Sequence, residues 1–153
     1  MLRHDGTHLD YGALLKQSRR LDDSACTRSV RVALLSDATV TQIVPLLKVL
    51  FAHHGVRAEI HLGEYDSTEL EVLNPQSALY AFRPDVVVIL SSTNALRLKY
   101  YGAQGERAAF GEETAAKLAA LWDTIARHSP ATVLQATYAL PYERQFGHFD
   151  AKV

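Results

Sequence analysis

Three short polar runs hold most of the side chains in this sequence that could bind a small molecule. They are Ser36 to Thr39, Ser91 to Asn94, and the segment after Gln135 that contains Thr137 and Tyr138. Each run follows a predicted strand, and open parallel sheets bind ligands beyond the carboxyl ends of their strands. The candidate ligand-binding residues are therefore Ser36, Asp37, Thr39, Ser91, Ser92 and Asn94.

The chemistry open to these residues is hydrogen bonding to a polar or phosphorylated group. Hydroxyl and amide groups donate and accept, a carboxylate accepts, and a helix beginning after Thr39 would add the N–H groups of its first turn. The same residue types also favour helix caps and turns. A purely structural role is therefore the alternative interpretation.

No other group of residues predicts a catalytic or metal site. A glycine-rich loop does not follow the first predicted strand, which argues against a dinucleotide or P-loop site. His4 and His8 have metal-like spacing, but Gly6 lies between them in a terminal segment. The pair His53-His54 ends a predicted helix, where it would interact with the helix dipole. We interpret Cys26, in a polar linker, as incidental.

The elements that must position the polar runs follow from the spacing of apolar residues. Residues 30–35 and 86–90 are short and almost continuously apolar, as buried parallel strands are. Residues 56–62 alternate between apolar and polar, which predicts a strand at a sheet edge. Residues 131–136 predict a fourth strand.

Helices are predicted before the first strand and between the strands. The ranges are 8–21, 40–54, a short helix around 67–82, and 112–128, whereas 97–111 is expected to be irregular. Glu112 and Glu113 suit the first turn of the last helix, and Gly55 suits the end of the second. The alternation of strands and helices predicts an α/β fold with a parallel sheet, built from right-handed crossovers.

Composition limits the classes of protein to which the chain can belong. It has 153 residues, with 16 basic and 17 acidic side chains and a net charge of −1. We therefore expect no nucleic-acid partner, since such domains carry a basic surface. The longest strongly apolar run has five residues, Val86 to Leu90, too few to cross a bilayer. One cysteine and no secretory signal indicate a cytoplasmic location.

The chain is predicted to form one main domain with a lead-in. Residues 1–27 are expected to form an N-terminal helix and linker, and residues 28–153 the α/β domain.

The three strand-end loops resemble those of the SGNH hydrolases. In that family the nucleophile lies in a Gly-Asp-Ser loop, and Asp37 aligned with its aspartate places Ala38 at the serine. Asn94 is similar in position to the oxyanion asparagine of the family. The Asp-x-x-His of the family is absent, because His148 follows Gln145 at that spacing. Acyl-enzyme chemistry is therefore not supported.

The sequence resembles more closely the SGNH-like N-terminal region of FkbH-like proteins, members of subfamily IIIC of the HAD superfamily. The resemblance covers roughly residues 28–150. It rests on Val32 to Leu47, Leu62 to Pro75, Ser77 to Leu90, and Gln135 to Gly147 with its Leu140-Pro141.

This resemblance implies a fold and a setting for the chain. The fold would be a three-layer α/β sandwich, SGNH-hydrolase/flavodoxin-like, lacking the usual last strand. The chain would be non-catalytic and bind no cofactor or metal of its own, and a following HAD domain would use magnesium. That enzyme would load a glyceryl unit, from a phosphorylated three-carbon donor, onto an acyl-carrier protein in polyketide or related biosynthesis.

The expected partners are therefore a HAD catalytic domain and an acyl-carrier protein, and a homodimer is left open. Two alternatives remain at this point. One is an active esterase of the SGNH type that uses Ser36 as its nucleophile, and the other is a stand-alone protein-interaction module.

Overall fold

The computed structural model describes residues 10–102 and 107–139. Four parallel strands form one sheet in the order β2-β1-β3-β4. The strands are β1 Arg28–Ser36, β2 Val56–Leu62, β3 Val86–Leu90 and β4 Thr132–Gln135. The helices are α1 Tyr11–Ser18, α2 Val44–His53, α3 Thr68–Leu73, α4 Ala78–Phe82, α5 Thr93–Gly102 and α6 Phe110–His128, with 3-10 turns at Thr41–Ile43 and Arg107–Ala109. The predicted α/β class and parallel sheet are confirmed.

The positions of the strands follow from their residue patterns. β1 and β3, the nearly continuous apolar runs, are the two central strands, each paired with a neighbouring strand on both sides. β2, the alternating run, lies at an edge as predicted.

One face of the sheet carries the main hydrophobic core. The side chains of Ala33, Leu35, Val87 and Ile89 pack there against Val72 of α3, Leu79 of α4, and Leu121 and Ile125 of α6. Burial of such side chains supplies most of the stability of a domain of this size.

The opposite face is covered unevenly. Val32 and Leu34 of β1 are buried there, α2 contacts β2, and α1 contacts α2. Leu134 of β4, which pairs with Val88, is 52% exposed. Helices therefore flank both faces as in a small three-layer sandwich, and among the described residues none covers the β4 side of the second face.

Three helix predictions differ from the structure. The first α-helix after Thr39 begins only at Val44, after a 3-10 turn without a side-chain cap, and not at residue 40 as predicted. The helix around 67–82 is two helices, because Pro75 excludes the helical conformation from Asn74. α1 is shorter than the predicted 8–21, since Asp10 caps its start and it ends at Ser18.

Within the range 97–111, the residues that the structure describes, 97–102 and 107–111, are helical rather than irregular. α5 runs to Gly102, and α6 begins at Phe110. The Tyr100 ring packs edge-to-face on Phe110, at 5.3 Å between centroids, and the Arg107 guanidinium lies 5.2 Å from the centre of that ring. These tertiary contacts stabilise a helix that local spacing does not reveal.

Several predictions fall outside the described residues. The described residues do not include His4, His8 or residues 140–153. They therefore do not test the prediction that the usual last strand is missing. No helix in the described ranges is long and apolar enough to span a bilayer.

Candidate functional site

The hydroxyl of Ser36 lies at the carboxyl end of β1 and is 4% exposed. Its Oγ donates to the carbonyl of Leu90, at 3.0 Å, and accepts the N–H of Ala38, also at 3.0 Å. Ser36 therefore joins the ends of the two central strands and shapes the loop that follows β1. A hydroxyl held in this way is poorly placed to attack a substrate.

Asp37 connects the same two strand ends one residue further on. Its carboxylate oxygens accept the backbone N–H of Ser92 at 2.8 and 3.0 Å. The chain leaves β1 towards β2 and leaves β3 towards β4, on opposite sides, so the two loops diverge here. Such a topological switch point is where open α/β sheets form their ligand-binding crevice.

The loop after β3 begins α5. Ser92 Oγ accepts the N–H of Ala95 at 3.1 Å, as an N-cap does. Thr93 Oγ1 donates to the carbonyl of Ala139, at 2.7 Å, and so ties the segment after β4 to this loop. Ser92 therefore has a structural role as a helix cap, which was the alternative interpretation of the polar run that contains it.

The side chain of Gln135 makes hydrogen bonds at the carboxyl end of β4. Its Nε2 donates to the carbonyl of Ala136 at 3.2 Å and lies 3.4 Å from Ser91 Oγ. Trp122 Nε1 of α6 lies 3.4 Å from its Oε1. The amide links β4 to β3 and to the helix that packs on them.

A cleft of about 530 Å³ opens beyond these strand ends. The loops after all four strands contribute to it, together with α5 and α6. Its lining residues are Asp37, Asp66, Thr68, Glu69, Leu70, Ile89, Ser91, Leu96, Lys99, Phe110, Glu113, Thr114, Lys117, Leu118, Leu121 and Tyr138. Small-molecule sites typically measure about 300–1,000 Å³, so this cleft is our candidate functional site.

The structure places only some of the six predicted ligand-binding residues in the lining of the cleft. Asp37 and Ser91 line the cleft. Ser36 is buried beside it and Ser92 caps α5. Thr39 and Asn94 are exposed, outside the lining, and no helix N-terminus follows Thr39 directly. That these residues bind a ligand remains a prediction.

Sequence reasoning missed much of the lining. Asp66 and Glu69 follow β2, and the strand-end rule applied to every strand would have included them. Asp66 has a φ of 54°, a left-handed conformation that aspartate adopts more readily than most residues. Lys99 and Lys117 lie on α5 and α6. No local signal places them in a cleft, because only packing brings these helices together.

A second polar cluster lies beside β2. Glu71 Oε2 is 3.0 Å from His61 Nε2, and Glu71 Oε1 accepts from Ser67 Oγ and from the N–H of Glu64, each at 3.1 Å. The carboxylate lies between the hydroxyl and the imidazole, whereas a catalytic triad needs the imidazole in the middle. This cluster therefore closes the loop after β2 and does not activate a nucleophile.

No group of three or more metal-ligating side chains occurs within residues 10–102 and 107–139. The four carboxylates around the cleft do not converge into such a group. The described residues therefore offer magnesium no cluster of three protein ligands, and no step is assigned to it in this chain.

A family model described as "FkbH, N-terminal domain" matches residues 31–153, more than half of the chain. No curated protein sequence matches the chain.

One solved structure has a similar fold. It is the N-terminal part of the protein BF1531 from Bacteroides fragilis, described as containing a phosphatase domain and complexed with Mg. The TM-score is 0.81 at 20% identity, over 95% of this chain and 38% of that one. At this identity the likeness shows the fold, and this chain spans little more than a third of the matched chain.

Proposed function

The chain belongs to the family of FkbH N-terminal domains, and on that premise we propose that it is the non-catalytic domain of a larger enzyme. In this proposal a phosphatase-type HAD domain performs the chemistry with magnesium. The enzyme loads a glyceryl unit from a phosphorylated three-carbon donor onto the thiol of an acyl-carrier protein, so that a thioester bond forms and phosphate leaves. The present domain positions the carrier or its substrate.

The observation that carries the proposal is the state of the Ser36 hydroxyl. Both of its hydrogen bonds in the described part of the chain are with backbone groups, the carbonyl of Leu90 at the end of β3 and the N–H of Ala38 in the loop after β1. A nucleophilic serine needs a free Oγ and a base within hydrogen-bond reach. This argues against the esterase alternative and supports a domain that binds and positions.

A second observation supports the larger enzyme. The protein from Bacteroides fragilis, whose N-terminal part has a similar fold, is described as containing a phosphatase domain complexed with Mg, and this chain covers 38% of that chain. The chemistry we propose would then lie outside the fold described here.

The test is a carrier-loading assay on the protein as its native source makes it. The protein is incubated with magnesium, a glycerate phosphate donor and the acyl-carrier protein, and the carrier is examined by intact-mass spectrometry. We expect the carrier to gain one glyceryl unit. We also expect a folded Ser36→Ala variant to retain loading, because the hydroxyl is structural.

Two results would contradict the proposal. One is a carrier of unchanged mass in the presence of active donor. The other is a Ser36→Ala variant that keeps its circular dichroism spectrum and loses loading. Ser29→Ala, at an exposed position near the amino end of the same strand and outside the cleft lining, is the matched control and should load normally.

A further inference from the structure

Five buried or half-buried apolar side chains line the cleft beyond the strand ends, and we call this set its apolar floor. Ile89 is 2% exposed and Leu121 is 8% exposed, and the half-buried side chains of Leu96, Phe110 and Leu118 complete the floor. Such a floor favours a ligand with methylene or methyl groups, since removing apolar surface from water is favourable.

The charge around the cleft argues against a phosphorylated ligand. Its lining includes four acidic side chains, Asp37, Asp66, Glu69 and Glu113, but only two basic ones, Lys99 and Lys117. An excess of carboxylates repels an anion. The phosphorylated group suggested by the strand-end residues is therefore the less favourable occupant of this space.

The polar groups of the lining suit amides and hydroxyls instead. Lys99, Lys117 and Tyr138 can donate, while Asp66 and Glu69 can accept. An amide needs both kinds of partner, one for its carbonyl oxygen and one for its N–H. A neutral ligand with several amides would use the lining without a charge penalty.

We propose that this cleft binds the pantetheine arm of the acyl-carrier protein, an assignment that rests on the proposed function. The arm between its phosphate and its thiol is uncharged, with two amides, a hydroxyl and short methylene and methyl segments. It matches the apolar floor and the mixed donors and acceptors of the lining. The cleft volume of about 530 Å³ lies in the range of small-molecule sites. The domain would thereby present the thiol end of the arm to the catalytic domain.

The test is a titration of the ¹⁵N-labelled chain with pantetheine, followed by amide chemical shifts. We expect saturable shifts around Ser91, Leu96 and Thr114 with a Kd at or below about 1 mM. A parallel titration with a glycerate phosphate should shift none of these amides. Leu96→Asp, which puts a carboxylate in the floor, should weaken pantetheine binding at least tenfold.

Leu98→Asp is the matched control. Leu98 is 70% exposed, lies two residues along the same helix and does not line the cleft. It should bind pantetheine like the unaltered chain, and circular dichroism checks that both variants fold. The proposal is overturned if pantetheine shifts no cleft amide, if glycerate phosphate shifts them equally, or if Leu96→Asp binds normally.

These outcomes are separable from those of the loading assay. Loading without pantetheine binding would leave the proposed function standing and remove this site assignment. Pantetheine binding without loading would support the cleft and contradict the proposed reaction.

Discussion

At the scale of single residues, position decides what a side chain can do. Ser36 is a reactive residue type at the strand end where an SGNH hydrolase has its nucleophile loop. Burial and two backbone hydrogen bonds make its hydroxyl part of the scaffold instead. Asp37, its neighbour, is committed to the N–H of Ser92 in the same way.

Ser36→Ala should therefore lower stability. Removal of Oγ leaves the carbonyl of Leu90 and the N–H of Ala38 without their partner, which costs about 1–3 kcal/mol when such groups are buried. Urea unfolding measures the change. Asn94→Ala, at an exposed position at the start of α5, should stay within about 0.5 kcal/mol of the unaltered chain. Equal stability of the two variants would contradict the structural role.

Gly63 is required by close packing. A Cβ at this position would lie 2.7 Å from Glu71 Oε1 and 2.8 Å from Leu35 Cδ2. Gly63→Ala should cost about 1–3 kcal/mol, as overpacking does in well-packed interiors. Gly111→Ala, where a Cβ meets no atom within 4 Å, should lose nothing and gain up to about 1 kcal/mol in its helix. A neutral Gly63→Ala in thermal unfolding would contradict the contact.

Tyr80 should make stability depend on pH in the alkaline range. Burial raises the pKa of its hydroxyl above the ordinary value of 10.0, against a smaller opposing effect of Arg127. Because the folded state holds this proton more tightly, the stabilisation is complete below pH 10.0 and is lost as the pH rises through the raised pKa.

Urea unfolding across that range checks the prediction. Tyr80→Phe should lose stability more gradually with rising pH than the unaltered chain, although it also loses the hydrogen bond to the carbonyl of Val72. Tyr11→Phe, whose ring is 55% exposed, is the control. The same alkaline slope in Tyr80→Phe as in the control would contradict this account.

At the scale of elements, the loop after β1 is hydrogen-bonded to the loop after β3 through Asp37 and Ser92. Asp37→Asn removes the charge that strengthens the bonds to the Ser92 N–H, and should cost about 1–2 kcal/mol. The effect should be local, with faster hydrogen exchange at Ser92 and Ala95 and unchanged exchange in β2. Uniformly faster exchange would show that the carboxylate supports the whole sheet instead.

The elements that sequence predicted well are those with a strong local pattern. β2 and β3 have the bounds that apolar spacing gave them, because strands buried on one or both faces leave that record in the chain. α5 was missed, since Tyr100 and Arg107 stabilise it through partners distant from its own turns. The predicted start of the helix after β1 was wrong because the turn at Thr41–Ile43 precedes α2.

The candidate site, like the fold, was predictable only in part. The strand-end rule located the crevice and three of its residues, Asp37, Ser91 and Tyr138, from sequence alone. It could not give Lys99, Lys117 or Phe110, which reach the cleft only through the packing of α5 and α6. It also could not show that the Ser36 hydroxyl is already bonded, because Leu90 is 54 residues away.

At the scale of the whole molecule, the sheet and the cleft belong to one domain of the family of FkbH N-terminal domains. The open β4 side, with Leu134 52% exposed, shows that the second face of the sheet lacks a complete cover in the described part of the chain. We propose that a separate HAD domain performs the covalent chemistry and that the present domain has a positioning role.

The most direct test of that account is whether the chain itself forms a covalent adduct. The chain is incubated with a serine-reactive phosphonate ester, and its intact mass is measured alongside that of Ser36→Ala. We predict that both keep their original mass, because the Ser36 hydroxyl is buried and bonded to backbone. An adduct on the unaltered chain that Ser36→Ala does not form would show a reactive nucleophile and contradict the account.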